Sequence, residues 1–180
     1  WANRMSMDTE DLAVGDPEAK CYMAGVPRAT YMPYPFQIVQ GTDKVLIAYE
    51  FANTNRVIHM DKVDPGPYVA VDTWMGHSEG RWEGESLVVD VKGLIDRTWL
   101  DRAGNFHSDA LHVVERYTRV SPDALMYEAT IEDPKVFTRP WKISMPVYRR
   151  LEKDAKIHEV PCVEFAEPFM YGSLSKPPLK

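Results

Sequence analysis

Residues 101–117, DRAGNFHSDALHVVERY, gather Asp101, His107, Asp109, His112, Glu115, Arg116 and Tyr117 into one short stretch. Acid/base catalysis needs an imidazole or carboxylate of suitable pKa within hydrogen-bond reach of a substrate. His107 and His112 can supply imidazoles, and Asp101 can hold one of them by its N–H and favour the charged form. His107, His112 and Asp101 are therefore the candidate catalytic set. On a continuous strand the two histidines have opposite parity, so a shared site requires a bend between Ser108 and Leu111, and the turn marked by Gly104-Asn105 makes room for one. The competing reading has His107 capping a loop and His112 hydrogen-bonded to a neighbouring strand. A metal site built from His77, His107 and His112 would draw ligands from separate elements. No compact ligand motif supports it, so neither a metal nor another cofactor is expected. No G-x-S-x-G elbow and no glycine-rich phosphate loop occurs either.

These residues must be positioned by strands. PFQIVQ-GTDK-VLIAYEF reads as two strands joined by a turn, and Ala52-Asn53-Thr54-Asn55 turns the chain into a third. GRWEGESLVVDV, ALHVVERYTRVSPDALMYEATIED, WKISMPVYRR and KIHEVPCVE supply the others. About eight or nine strands with short turns predict an all-β fold, an antiparallel up-and-down β-barrel of lipocalin-like form, with a two-sheet sandwich as the competitor. Residues 1–35, rich in proline, form an irregular N-terminal arm. Residues 36–173 form the single barrel domain and 174–180 a loose tail. The segments 64–78 and 92–109 are longer connections of the kind that carry function at barrel mouths.

Hairpin register orients the side chains. A Thr42-Asp43 loop pairs Gln40 with Val45 and puts Phe36, Ile38, Val45, Ile47, Tyr49 and Phe51 on the core face. An Asn53-Thr54 loop opposes Tyr49 to Ile58 and points Arg56 inward, with His59 and Asp61 outward. A Gly84-Glu85 loop opposes Trp82 to Leu87 and places Trp82 inside. A turn at Ser121-Pro122-Asp123-Ala124 pairs Val120 with Leu125 and turns His112 and Arg116 inward beside Tyr127; a three-residue loop would instead bury Leu111, Val113, Glu115 and Tyr117. Tyr49, Arg56, Trp82, Arg116 and Tyr127 are accordingly the candidate substrate-binding residues. Inward arginines are costly unless paired or solvated, so they suit a polar or anionic ligand, or else they pair with Glu50, Glu115 or Glu128.

The 180 residues suffice for one domain. With 21 Lys and Arg against 27 Asp and Glu, the net charge of −6 speaks against a nucleic-acid partner. No apolar run reaches the roughly 20 residues of a membrane span. The only cysteines, Cys21 and Cys162, would close a long loop in an oxidising compartment, stapling a barrel whose termini meet, with two free buried thiols as the alternative. The chain starts at Trp1, which a cleaved secretion signal would explain.

TWMGHSEGRWEGESLVVDVKGL, TWLDRAGNFHSDALHVVERY and IEDPKVFTRPW, together with CYMAGVPR and PFQIVQ, resemble a large family of uncharacterised, often exported bacterial proteins. The resemblance covers most of the chain and implies a periplasmic or secreted location and a site around Trp82, Asp101, His107 and His112. The expected function is a cofactor-independent enzyme, of lyase, isomerase or hydrolase class. It would transfer protons on a small organic molecule by elimination or hydration, isomerisation or hydrolysis. The alternative is a non-catalytic, lipocalin-like carrier of an apolar or aromatic anion. The expected partner is that small molecule, with no nucleic acid and no membrane, and with room for a homodimer.

Overall fold

The computed structural model describes residues 15–60, 71–159 and 162–164. They form an all-β fold of eight strands in one curled sheet: β1 Phe36–Gln40, β2 Lys44–Tyr49, β3 Asn55–Met60, β4 His77–Glu83, β5 Ser86–Lys92, β6 His112–Ser121, β7 Ala124–Glu132 and β8 Trp141–Tyr148. Each strand lies beside its sequence neighbours. Six of the junctions are antiparallel and one, β3 with β4, is parallel. The expected closed, fully antiparallel barrel is thus replaced by an open half-barrel of mixed sheet with β1 and β8 at its edges. Parallel neighbours need a crossover where antiparallel ones need only a tight turn, and residues 61–76 between β3 and β4 are enough chain for one. The strand expected in KIHEVPCVE is absent over its described residues, 156–159 and 162–164, and the tail at 174–180 lies outside the described residues.

One face of the sheet carries the core: Val45, Ile47 and Tyr49 of β2, Ile58 and Met60 of β3, Leu87, Val89 and Val91 of β5, Val113 and Tyr117 of β6, and Tyr127, Ala129 and Ile131 of β7. The described part of the arm contributes Ala24, Val26, Ala29 and Met32 to the same cluster. It is pinned by charge as well. The Arg28 guanidinium bonds both oxygens of Asp16, at 2.9 and 2.7 Å, and also reaches Glu18, which accepts from Arg102 at 2.6 and 3.1 Å. Cys21, just after the 3-10 turn Pro17–Lys20, is disulfide-bonded to Cys162, as the cysteine pair led us to expect.

The hairpin pairings Gln40 with Val45 and Trp82 with Leu87 are as read from the sequence. Arg56 is inward, but opposite Ile47, because a 3-10 turn at Phe51–Asn53 lengthens the connection. Trp82 has inner-face parity and is nevertheless 51% exposed. The β3 ladder ends at Met60 opposite Gly80, leaving Trp82 past its last rung.

The long hairpin corrects the expected register. Ser121 pairs with Ala124 around Pro122-Asp123, yet Arg119 pairs with Leu125, so Val120 is bulged out. One extra residue reverses the parity of everything before it. His112 and Arg116 therefore face outward, and Val113, Glu115 and Tyr117 face the core.

The parallel seam is held by only three residue pairs, Ile58 with Ser78, His59 with Glu79 and Met60 with Gly80. A Cβ at position 80 would come within 2.7 Å of Ile58 Cγ2 and Met60 Sδ, so the strands approach closely over a glycine. A buried polar strut crosses the same seam on the inner face. Arg56 Nε donates to Ser78 Oγ at 2.8 Å and Nη2 to Glu115 Oε2 at 2.5 Å, while Glu115 Oε1 accepts from Tyr127 Oη at 2.7 Å and Tyr117 Oη at 3.1 Å. Burial works against the charge on Arg56, but the Glu115 carboxylate outweighs it and raises the guanidinium pKa above its ordinary value. Burial and the same carboxylate raise Tyr117 and Tyr127, so both phenols stay protonated donors.

Candidate active site on the outer face

The register that buries Glu115 brings a row of titratable side chains to the opposite face. His77 pairs across with Lys92, and His112 with Glu132; Val91 pairs with Val113, which brings Lys92 beside His112. In the adjoining row His59 pairs with Glu79 and Glu79 with Asp90.

His112 is the centre of this row. Its Nε2 lies 2.9 Å from Asp90 Oδ2; a carboxylate can only accept, so Nε2 carries the proton. In the neutral ring the lone pair is then on Nδ1, 3.7 Å from Glu132 Oε2 and too far for a hydrogen bond. Burial works against ionising Asp90, but hydrogen bonds from His112 and Lys92 prevail and hold its pKa below the ordinary value. Lys92 Nζ stands 3.0 Å from Asp90 Oδ1. Lys92, Gly93, Asp109, Ala110, Leu111, His112, Glu132 and Pro134 line a cleft of about 410 Å³, within the usual range for small-molecule sites.

The other two members of the sequence-derived triad lie in different networks. His107 is 3% exposed. Its Nδ1 donates to the Ser108 carbonyl at 2.9 Å, so Nε2 accepts from the Thr98 hydroxyl at 2.6 Å. Burial lowers its pKa from the ordinary 6.5, more strongly than the Ser108 carbonyl raises it. Asp101 accepts from the backbone and side chain of Asn105 and orients neither imidazole. Ser108 donates its N–H and hydroxyl to Asp133, at 2.6 and 2.8 Å, fixing the loop that enters β6.

A neutral buried histidine has a signed consequence. Its depressed pKa gives stability that is complete above pH 6.5 and is lost as pH falls toward the folded value, because only the unfolded chain takes up the proton. Glu18 and Asp90 act only below their ordinary values of 4.5 and 3.8. Wild-type stability is therefore expected to decline between about pH 6.5 and 4.5, and His107→Gln to flatten that decline, in urea melts across this window. An unchanged slope would mean that His107 is not held neutral.

Tyr49, Arg56 and Tyr127 of the expected binding set are inward and buried, with Arg56 tied to Glu115. Arg116, on the outer face, bonds Glu83 at 2.5 Å, so both arginines expected to meet an anion already have carboxylate partners. His77 donates Nε2–H to the Val71 carbonyl at 2.8 Å and packs on Gly93, where a Cβ would come within 2.8 Å of its ring. It lines a separate cleft of about 370 Å³ with Met23, His59 and Trp74, the last stacked on Tyr22. Among the described residues no group of three or more His, Cys, Asp or Glu side chains converges to hold a metal. None of their helices is long and apolar enough to cross a membrane.

The sequence singles out His112 as a candidate, whereas Asp90, Lys92 and Glu132, which the structure gathers around it, do not stand out there. The available signal was Asp90 itself, a lone acid inside the apolar run Leu87–Val91 that alternation turns to the outer face. Comparison of the chain with protein-family models, curated proteins and solved structures finds no match.

Proposed function

We propose that this protein is a cofactor-independent enzyme that moves protons on a small organic molecule bound in the outer-face cleft, with His112 as the acid/base and Asp90 as the residue that orients it. The observation behind this reading is the His112–Asp90 hydrogen bond at the wall of that cleft, which leaves Nδ1 as the basic atom. The bound molecule, or in hydrolysis the water that attacks it, loses a proton to Nδ1. The resulting imidazolium keeps its Nε2–H on the Asp90 carboxylate and sits beside Glu132, both of which favour its positive charge. Returning that proton to another atom of the molecule, or to a departing group, completes an isomerisation, elimination or hydrolysis. The Cys21–Cys162 disulfide supports an exported, oxidising setting for this chemistry.

The test is a turnover screen over small esters, hydroxy acids, ketones and their amino-substituted counterparts. Wild type is expected to convert at least one class, and His112→Ala to lower turnover by roughly 100-fold, the scale of an acid/base group, with an unchanged melting temperature. Asp90→Asn should lower turnover too. Binding without conversion by wild type would replace the enzyme with the carrier, and full turnover by His112→Ala would overturn His112 as the acid/base.

A further inference from the structure

Resting on that reading of the cleft, we infer that its ligand carries a positive charge, an ammonium group seated against Glu132, with an apolar body against Ala110 and Pro134.

The inference comes from which charges in the cleft are already committed. Of the charged side chains lining it, Lys92 is paired with Asp90 at 3.0 Å, and Asp109 is paired with Lys135 at 2.5 Å. Glu132 remains. It is 55% exposed at the side chain, and its one ion-pair neighbour among the described residues is His112, whose Nδ1 lies 3.7 Å away, beyond hydrogen-bond reach, and whose Nε2–H is directed to Asp90 instead. Asp133 stands directly behind the wall, 1% exposed, accepting from Ser108 and from the Lys135 backbone. The local balance is thus two lysines against the four carboxylates of Asp90, Asp109, Glu132 and Asp133, in a chain whose net charge is −6. An anion entering here would meet repulsion from Glu132 and would have to take Lys92 from Asp90. A cation meets a carboxylate that, among the described residues, has no lysine or arginine to release, so the field favours it both at contact and on approach. An ammonium on Glu132 also brings the carbon framework of the molecule beside Nδ1, the atom that would take its proton.

Benzylamine, a cation at neutral pH, and benzoate, an anion of similar size, separate the possibilities. Binding is read from NMR shifts of the amides and side chains of Ala110, Leu111 and His112. Benzylamine is expected to bind there at least tenfold more tightly than benzoate, and Glu132→Gln to weaken it about tenfold while leaving the melting temperature unchanged. Tighter binding of benzoate at the same residues, or benzylamine binding that is indifferent to Glu132→Gln, would overturn the charge assignment and leave the cleft reading standing. Perturbation of these residues by neither probe would overturn both.

Discussion

Glu115→Gln is expected to destabilise the protein by about 3–5 kcal/mol, the usual cost of stranding one member of a buried ion pair. Arg56 and Glu115 are 1% and 0% exposed at the side chain, so water cannot replace the lost partner. Glutamine keeps an oxygen for Tyr117 and Tyr127 and nearly the same volume, so the loss isolates the charge from the packing. Arg56 Nη1 already lacks a hydrogen-bond partner, and Ser78, the other partner of the guanidinium, is neutral and cannot balance its charge. At roughly 2–4 °C per kcal/mol for a chain of this size, the melting temperature should fall by about 6–20 °C. The double variant Arg56→Met with Glu115→Gln removes the charge along with its partner and should recover most of the loss. A Glu115→Gln protein as stable as wild type would mean that the strut does not hold the three-pair parallel seam.

Loss of the Cys21–Cys162 bond should cost about as much by a different route. The bonded cysteines are 141 residues apart. In the chain-entropy account such a closure removes about 4–5 kcal/mol of unfolded-state freedom. The expected result for Cys21→Ser with Cys162→Ser is a fall in melting temperature of roughly 10–20 °C, with little change in the folded structure. The arm that Cys21 anchors also supplies four core residues and the Arg28 cluster, so hydrogen exchange should quicken first at Ala24–Met32. Equal melting temperatures with and without reductant would refute a stabilising bond.

The contrast between these sites explains what the sequence could convey. Two-residue loops at Thr42-Asp43 and Gly84-Glu85 transmit register directly, and the pairings they dictate are present. Arg56 was placed on the correct face with the wrong partner, since the observed register differs by an even number of residues and parity survives an even slip. The bulge at Val120 is an odd slip, and it exchanged His112 and Arg116 for Glu115 and Tyr117 as inward residues. No local residue pattern announces such a bulge, because the packing of Glu115 against Arg56, 59 positions away, rewards it only in the folded chain. The parallel seam was hidden for a related reason: a long connection between two strands does not state their relative direction. The site was half legible on the same grounds. His112 stood out by its type, whereas Asp90 lies 22 residues earlier and meets it only through the β5–β6 ladder. His107, five positions from His112, is drawn away by Thr98 and Ser108.

The central claim is that Asp90 holds His112 with its proton on Nε2 and its lone pair on Nδ1 at the cleft. Nitrogen-15 NMR of the histidine side chains, recorded for wild type and Asp90→Asn where the imidazoles are neutral, measures this directly. The account predicts one imidazole fixed as the Nε2–H tautomer in wild type, assigned to His112 by its absence in His112→Ala, and a loss of that preference in Asp90→Asn. A His112 ring protonated on Nδ1, or a tautomer indifferent to Asp90→Asn, would contradict it.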